Sequence, residues 1–237
     1  MSIDRLQTHY GFSKMPFGRD IPPQGLHLHP AHREAVARTQ WCVSQRQMGV
    51  ITGLRGIHTQ IVTALGGSPA FYSGVLASQT AHLLATELDE RSRLPVVVID
   101  EAHMLSNTDL EALRMLTNTD MDTGSHFALL LIGQPTLRRR LKLAILAALD
   151  QRISTRYTIT GMSFADTTDY ISHHLKFAGR SDTLFSDDAI TAIHQASRGY
   201  PRAVNNLAVS SLIATYAADK AIVDLSATQS AITENSE

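Results

Sequence analysis

Two continuous apolar runs dominate the hydrophobic pattern of the first 160 residues. Leu94–Asp100 contains four consecutive β-branched residues, and Phe127–Gly133 is a second unbroken run. Strands of a parallel sheet that is covered on both faces have this pattern, because neither face meets water. The shorter run Met48–Gly53 and the segment Ser154–Ile159 are predicted as further strands of the same sheet.

Apolar residues recur at helical spacing between these runs, in the segments 30–47, 57–65, 79–88, 106–118 and 136–148. The fourth of these opens with Ser106 and Asp109 at the spacing of a capping box. Beyond Gly161 the pattern is helical throughout. Ser163 and Ser186 are predicted N-caps there, and Pro201 occupies a favourable first-turn position.

A parallel α/β domain followed by a small helical domain is therefore the expected fold. We expect residues 1–47 to form an N-terminal wrap and a helix, residues 48–160 the α/β core, and residues 161–237 a helical lid.

Composition narrows the function classes only modestly. The chain has 237 residues, a formal net charge of -1 and a pI near 6.8, so no strongly charged partner is indicated. The single cysteine, Cys42, fits a reducing compartment. Apolar runs fall short of the roughly 18 residues that a membrane span needs, and the N-terminus lacks the apolar core of a signal peptide. We expect a soluble cytoplasmic protein without membrane contact.

A pair of carboxylates follows the first apolar run. Asp100 and Glu101 stand where an open α/β sheet places its ligands, at the carboxyl end of a strand. In P-loop ATPases the first such acid supports Mg²⁺ and the second orients or deprotonates the attacking water. The alternative is a solvated strand end, but four β-branched residues before the pair favour the functional interpretation.

Other polar residues carry weaker signals. Gln134 follows the second run and is either a γ-phosphate sensor or the start of a loop. The run Arg138–Arg140 is either a solvated helix face or a contact for DNA or another partner. Arg152 is an arginine-finger candidate or an ordinary surface ion pair, and Arg202 is a phosphate contact from the lid or a solvated side chain. His27, His29 and His32 lack a second ligand cluster, which disfavours a metal site.

Together these residues resemble the ExeA-like branch of the AAA+ ATPases, close to the ATPase partners of some transposases. The resemblance covers nearly the whole chain, and its specificity comes from the order of its motifs. These are Tyr10-Gly11-Phe12 with Met15-Pro16-Phe17, Gly49–Gly53, Val97–His103 (Walker B), Ile132–Pro135 (sensor 1), Asp150–Ile153 and Gly199–Arg202 (sensor 2).

The resemblance implies ATP hydrolysis with ATP and Mg²⁺ as cofactors. It assigns Mg²⁺ support to Asp100 and catalysis to Glu101. Gln134 and Arg202 are implied to contact the nucleotide, and Gly53 is a further candidate for cofactor binding. Arg152 is an implied arginine finger that acts through self-association. The implied partners are a transposase or a secretion component, with DNA as a further candidate.

One departure from the family weakens the ATPase interpretation. In the family, a segment like Val50–Gly53 leads into a glycine-rich loop that ends Gly-Lys-Thr, whereas Gly53 is here followed at once by Leu54-Arg55-Gly56. About 30 residues, one βα crossover, are missing by this comparison. The lysines agree with this, because none follows a glycine and none lies between residues 15 and 141. Gly53–Thr59 keeps two glycines and a threonine, which makes it a poor substitute.

Three functions follow from the sequence. The first is an AAA+ ATPase that helps DNA transposition, with a secretion-assembly ATPase as the alternative. The second is a pseudo-ATPase that keeps partner and oligomer surfaces. The third is a DNA-binding adaptor that uses the Arg138–Arg140 run.

Overall fold

The computed structural model describes residues 3–17, 21–22, 25–27, 29–44, 54–118 and 125–235. The chain divides into two compact units. The helical unit comprises residues 1–34 and 159–237, and the core unit comprises residues 35–158. The sequence placed residues 1–47 in one segment, but the structure divides them between Glu34 and Ala35. The wrap groups with the C-terminal helices because its apolar side chains are buried among them.

A parallel pair of strands lies at the centre of the core unit. Strand β1 (Val96–Ile99) pairs with β2 (Ala128–Leu131), with Val96 opposite Ala128. The pairing continues beyond the strands, because the Ile132 amide donates to the Ile99 carbonyl at 3.0 Å. The two apolar runs are thus neighbouring strands. The predicted strand Met48–Gly53 lies outside the described residues.

Five helices share the core cluster of this pair among the described residues. They are α3 (Leu54–Ala64), α4 (Ser73–Asp89), α5 (Asn107–Leu116), α6 (Pro135–Leu141) and α7 (Ala147–Arg152), and α2 (Pro30–Ser44) is divided between the two units. The single helix predicted over 136–148 is wrong. A 3₁₀ turn at Ala144–Leu146 separates α6 from α7 and buries Leu146 completely.

The strand predicted over Ser154–Ile159 is also wrong. Residues 153–163 have no regular secondary structure. Arg156 bonds back to Asp150, with Nη2 at 2.9 Å from Oδ1. The predicted strand Met48–Gly53 lies outside the described residues, so no pairing partner for this segment is described.

Strand β1 is covered on one face only. Val97 and Ile99 are buried in the core cluster with Leu110, Phe127 and Leu129. Val96 and Val98, which point to the other face, are each 41% exposed. The expectation of a strand buried on both faces is therefore wrong for β1.

The helical unit packs five helices around a dense core. They are α1 (Ile3–Tyr10), α8 (Phe164–Phe177), α9 (Asp187–Ser197), α10 (Pro201–Ala217) and α11 (Leu225–Glu234). Phe185 and Ile193 are buried at its centre, and the Tyr10 hydroxyl donates to the Leu212 carbonyl at 2.8 Å. The predicted caps are confirmed: the side chains of Ser163 and Ser186 accept the expected backbone amides.

Candidate functional site

The carboxylate pair lies on a strained turn immediately after β1. Asp100 and Glu101 are both exposed. Glu101 has φ 54° and ψ 32°, the left-handed region that a residue with a side chain adopts only at a cost of about 1 kcal/mol. Its amide donates to Asp100 Oδ1 at 2.8 Å. One oxygen of Asp100 is thus occupied, and the other remains available at the strand end.

The turn is anchored to the end of β2. The Ala102 amide donates to the Ile132 carbonyl at 2.8 Å, and Ala102 is fully buried. A Cβ at Gly133 would lie 3.1 Å from the His103 amide nitrogen, so the close approach of the two backbones depends on this glycine. The end of β2 therefore fixes the position of the carboxylate turn.

His103 links the pair to the start of α6. Its Nδ1 lies 3.4 Å from Glu101 Oε2 and also 3.4 Å from the Gln134 amide nitrogen. The amide needs an unprotonated Nδ1 as acceptor, whereas a hydrogen bond to the carboxylate needs a proton there. The two contacts therefore exclude each other. Nδ1 contacts Glu101 when it carries a proton and accepts the Gln134 amide when it does not.

Arg140 holds the segment that follows the pair. Its guanidinium donates to the His103 carbonyl at 2.8 Å, to the Leu105 carbonyl at 2.7 Å and to Asn107 Oδ1 at 2.8 Å. The planar fork of donors suits this arrangement, which a lysine would not reproduce. Arg140 is thus a structural clamp rather than part of a solvated face.

The sequence treated Arg138–Arg140 as one basic run and missed this role. Helical spacing does not single out Arg140. Leu137 and Leu141 face the core, and Arg138 and Arg140 each lie three residues from one of them, so only the tertiary partners distinguish Arg140. Arg138 and Arg139 point outward and are exposed. Only these two stay available as contacts for DNA or another partner.

Gln134 lies beside the carboxylate turn, whereas Arg152 does not. Gln134 is the exposed N-cap residue of α6, and its backbone contacts His103. Arg152 ends α7 and donates to Asn118 Oδ1 at 3.2 Å. Asn118 follows the far end of the ten-residue helix α5, roughly 15 Å from the end that follows the pair.

Arg202 belongs to the helical unit, whereas the other described candidates belong to the core unit. It lies in the first turn of α10 and is exposed. The preceding Gly199 has φ +70°, and its carbonyl accepts the Met162 amide at 2.8 Å. This tight junction fixes the start of α10 and therefore the position of Arg202.

The described part of Gly53–Thr59 does not form a phosphate-binding loop. Gly53 lies outside the described residues, and Leu54–Thr59 form the first turns of α3. His58 is only 7% exposed, and its Nδ1 lies 3.0 Å from Thr80 Oγ1. The Thr80 hydroxyl donates to the Leu76 carbonyl, so it accepts from His58. Burial lowers the pKa of His58, so His58 provides no cation for a phosphate.

The donor chemistry of the site fits Mg²⁺ better than it fits ATP. A carboxylate oxygen at the carboxyl end of a strand is a hard ligand of the kind that Mg²⁺ takes together with phosphate oxygens. Asp100 offers such an oxygen. The phosphates themselves have no matching lysine, because residues 15–141 contain none.

The described residues contain no group of three or more His, Cys, Asp or Glu side chains arranged to hold a metal ion. Their helices are also too short or too polar to cross a membrane.

Comparisons with known proteins agree on the class. Residues 37–141 match the AAA domain family. General secretion pathway protein A of Aeromonas hydrophila is 38% identical over 87 residues, which is 37% of this chain and 16% of that protein. The chain therefore spans a small part of that relative. The crystal structure of Cdc6p from Pyrobaculum aerophilum superposes with a TM-score of 0.59 at 13% identity, covering 88% of this chain and 67% of that one.

A parallel strand pair with carboxylates at its end, together with a helical unit, defines a P-loop NTPase-like α/β protein with a helical lid. Residues 37–141 thus carry an AAA domain, and the chain resembles the ExeA-like AAA+ ATPases.

Proposed function

We propose that this chain is an AAA+ module that no longer hydrolyses ATP and that acts through the surfaces by which it binds partners. The observation that carries the proposal is the lysine distribution. A phosphate-binding loop ends Gly-Lys-Ser or Gly-Lys-Thr, and none of the four lysines of this chain follows a glycine. Without that cation the β- and γ-phosphates lose their main point charge.

The geometry around the pair supports this proposal. The turn that carries Asp100 and Glu101 is anchored by β2 and clamped by Arg140, so the Walker B region keeps its form. The segment after Gly53 continues as helix α3 instead of a loop. A module of this kind keeps the scaffold of an ATPase and lacks the group that grips the nucleotide.

A secretion-assembly role is the second candidate. The observation that favours it is the identity to General secretion pathway protein A. In this proposal the partner is a secretion component, and Arg152 contributes to self-association. A helper role in DNA transposition, with a transposase or DNA as partner, stays a prediction from sequence. A cytoplasmic location also stays a prediction from sequence.

Nucleotide binding tests the proposal most directly. A fluorescent ATP analogue is titrated into the purified chain with Mg²⁺, and unlabelled ATP is added as competitor. We expect no saturable, competable signal, because the phosphates lack their lysine. Competable binding in the low micromolar range would contradict the proposal.

Phosphate release from ATP gives a second, independent test. In an active ATPase, Glu101→Gln removes a water-activating group and lowers turnover by roughly 10²- to 10⁴-fold. Here we expect the wild-type chain and the variant to be equally inactive. Arg139→Gln, which changes an exposed side chain outside the turn, is the control. Turnover that Glu101→Gln abolishes and Arg139→Gln preserves would show that the chain is an enzyme.

A further inference from the structure

The N-terminal wrap of the helical unit is fastened along α8. The described residues of the segment 11–29 are called the strap below. The Ser13 amide donates to the Ala178 carbonyl at 2.7 Å, and the Lys14 ammonium lies 3.3 Å from the centre of the Phe177 ring. A Cβ at Gly25 would lie 2.4 Å from Phe177 Cζ, so only glycine fits there. The strap therefore packs tightly along this helix.

Histidines are concentrated where the strap meets α8. The Gly25 carbonyl lies 3.0 Å from His173 Nε2. The ring centroids of His27 and His173 are 5.2 Å apart, those of His173 and His174 are 5.4 Å apart, and those of His29 and His32 are 4.4 Å apart. The histidine cluster comprises His27, His29, His32, His173 and His174.

His174 is the least hydrated member of the cluster. Its side chain is fully buried between the rings of Tyr170, at 4.4 Å, and Phe17, at 5.7 Å. Among the described residues neither of its ring nitrogens has a hydrogen-bond partner within normal geometry, and the nearby Pro16 carbonyl acts to raise its pKa. Burial and the neighbouring His173 lower the pKa of His174 to about 4.

The charges around the strap histidines also disfavour protonation. Burial is the main cause that lowers the pKa values of His27 and His29. His173 and Arg33 add to this at His27, and His32 and His27 add to it at His29. Two carboxylates act in the opposite direction. Asp166 raises the pKa of both histidines, and Asp169 raises the pKa of His27.

The first of these carboxylates already has partners. Asp166 Oδ2 accepts from the Ser163 hydroxyl at 2.7 Å and from the Ser163 amide at 3.2 Å, as the capping box of α8. Several imidazolium ions so close together would repel one another, since like charges within a few ångströms disfavour the charged form.

We propose that the strap and α8 form a pH-sensitive latch, closed while the histidine cluster is neutral and opened when the cluster takes up protons. The direction of this pH dependence follows from proton linkage. A histidine whose pKa is lowered in the closed form binds more protons in the open form, so the closed form loses stability as the pH falls below about 6.5. The strap contacts described above are to α8 and to Ala178 directly after it, so we expect α10 to keep its hydrogen bonds when the strap is released.

Hydrogen exchange of the whole chain tests the latch. Exchange rates are measured at pH 7.5 and pH 5.0 and divided by the intrinsic rate at each pH. We expect the protection of the Ser13 amide to fall by about 10- to 30-fold at pH 5.0, from the release of a single buried histidine. Amides of α10 should keep their protection. Unchanged Ser13 protection, or a parallel loss in α10, would overturn the latch.

Two variants and one control assign the effect to the cluster. His27→Gln combined with His29→Gln removes two titrating groups from the strap, and His174→Gln removes the buried one. Both should reduce the pH dependence of Ser13 protection. His82→Gln changes an exposed histidine of α4 in the core unit and should leave the dependence intact. An equal dependence in all three variants would overturn the proposal.

Discussion

The two units of the chain differ in how many of their described helices begin with a side-chain cap and in the apolar strand surface that they expose. In the helical unit, α8, α9 and α11 begin with side-chain caps from Ser163, Ser186 and Asp224. In the core unit Ser106 caps α5, whereas α4, α6 and α7 begin without a side-chain cap among the described residues, as α10 does in the helical unit, and the sheet exposes an apolar face. Side-chain caps are therefore more frequent among the described helices of the helical unit.

One face of β1 carries apolar side chains that the described residues leave partly exposed. Val96 and Val98 are β-branched residues of the kind found in strands covered on both sides, yet both are 41% exposed. A sequence that has lost one βα crossover would leave such residues without their cover. The described residues of the helical unit also expose large apolar side chains, such as Phe164 and Ile213, but these lie on helices rather than on a strand.

A pair of core substitutions should give the largest contrast between the units. Phe185→Ala removes a fully buried ring from the helical unit and should lower the free energy of unfolding by about 3–5 kcal/mol. Val98→Ala should cost less than about 1 kcal/mol, because the side chain is already partly in water. Urea denaturation of each variant measures both values.

Val97→Ala is the matched control, since Val97 is the buried neighbour of Val98 in the same strand. We expect its cost to exceed that of Val98→Ala. Equal costs for the two valines would mean that the outer face of β1 is covered in solution, and the contrast between the units would fail.

The Arg140 clamp should have an intermediate effect. Arg140→Ala leaves the carbonyls of His103 and Leu105 without their donor, and Leu105 is buried. We expect a cost of about 1–3 kcal/mol, concentrated in the carboxylate turn. Native-state hydrogen exchange at the Met104 and Leu105 amides measures it.

Arg139→Ala is the control for the clamp, because that side chain is exposed on the same helix. It should leave exchange in the turn unchanged. If both substitutions accelerate exchange equally, the helix as a whole stabilises the turn, and the three hydrogen bonds of Arg140 are not its main support.

Locally encoded features were predictable from the sequence. Ser106 and Asp109 form the expected capping box, and Pro201 starts α10 as expected. The two apolar runs pair as parallel neighbours, as expected for apolar runs in an α/β sheet, although one face of β1 is exposed. Caps and strand-forming runs depend on a few adjacent residues, so a single sequence suffices to identify them.

Features that depend on distant contacts were missed. The segment Ser154–Ile159 was predicted as a strand, but a strand forms only beside a partner, and none is described for it. Arg140 looks like one of three equivalent surface cations until the carbonyls of His103 and Leu105 are placed beside it. The assignment of the wrap to the helical unit depends in the same way on α8. In each case the deciding partner lies elsewhere in the chain.

The smallest expected effect on stability concerns the helix N-caps, which differ between the two units. Ser163→Ala removes the hydroxyl that accepts the Asp166 amide and donates to its carboxylate, and should destabilise the helical unit by about 1 kcal/mol. Gln134→Ala, at the N-cap of α6 where the side chain makes no capping bond, should cost close to nothing.

The cost of Ser163→Ala should also depend on pH. The Ser163 hydroxyl is the main cause that lowers the pKa of Asp166. The carboxylate's share of the capping box is therefore present in full above the unfolded value near 3.8 and is lost as the pH falls through the lowered value. Thermal denaturation at pH 7 and pH 3 should show a larger difference between wild type and Ser163→Ala at pH 7. A difference that does not change with pH would mean that the hydroxyl acts on the backbone amide alone.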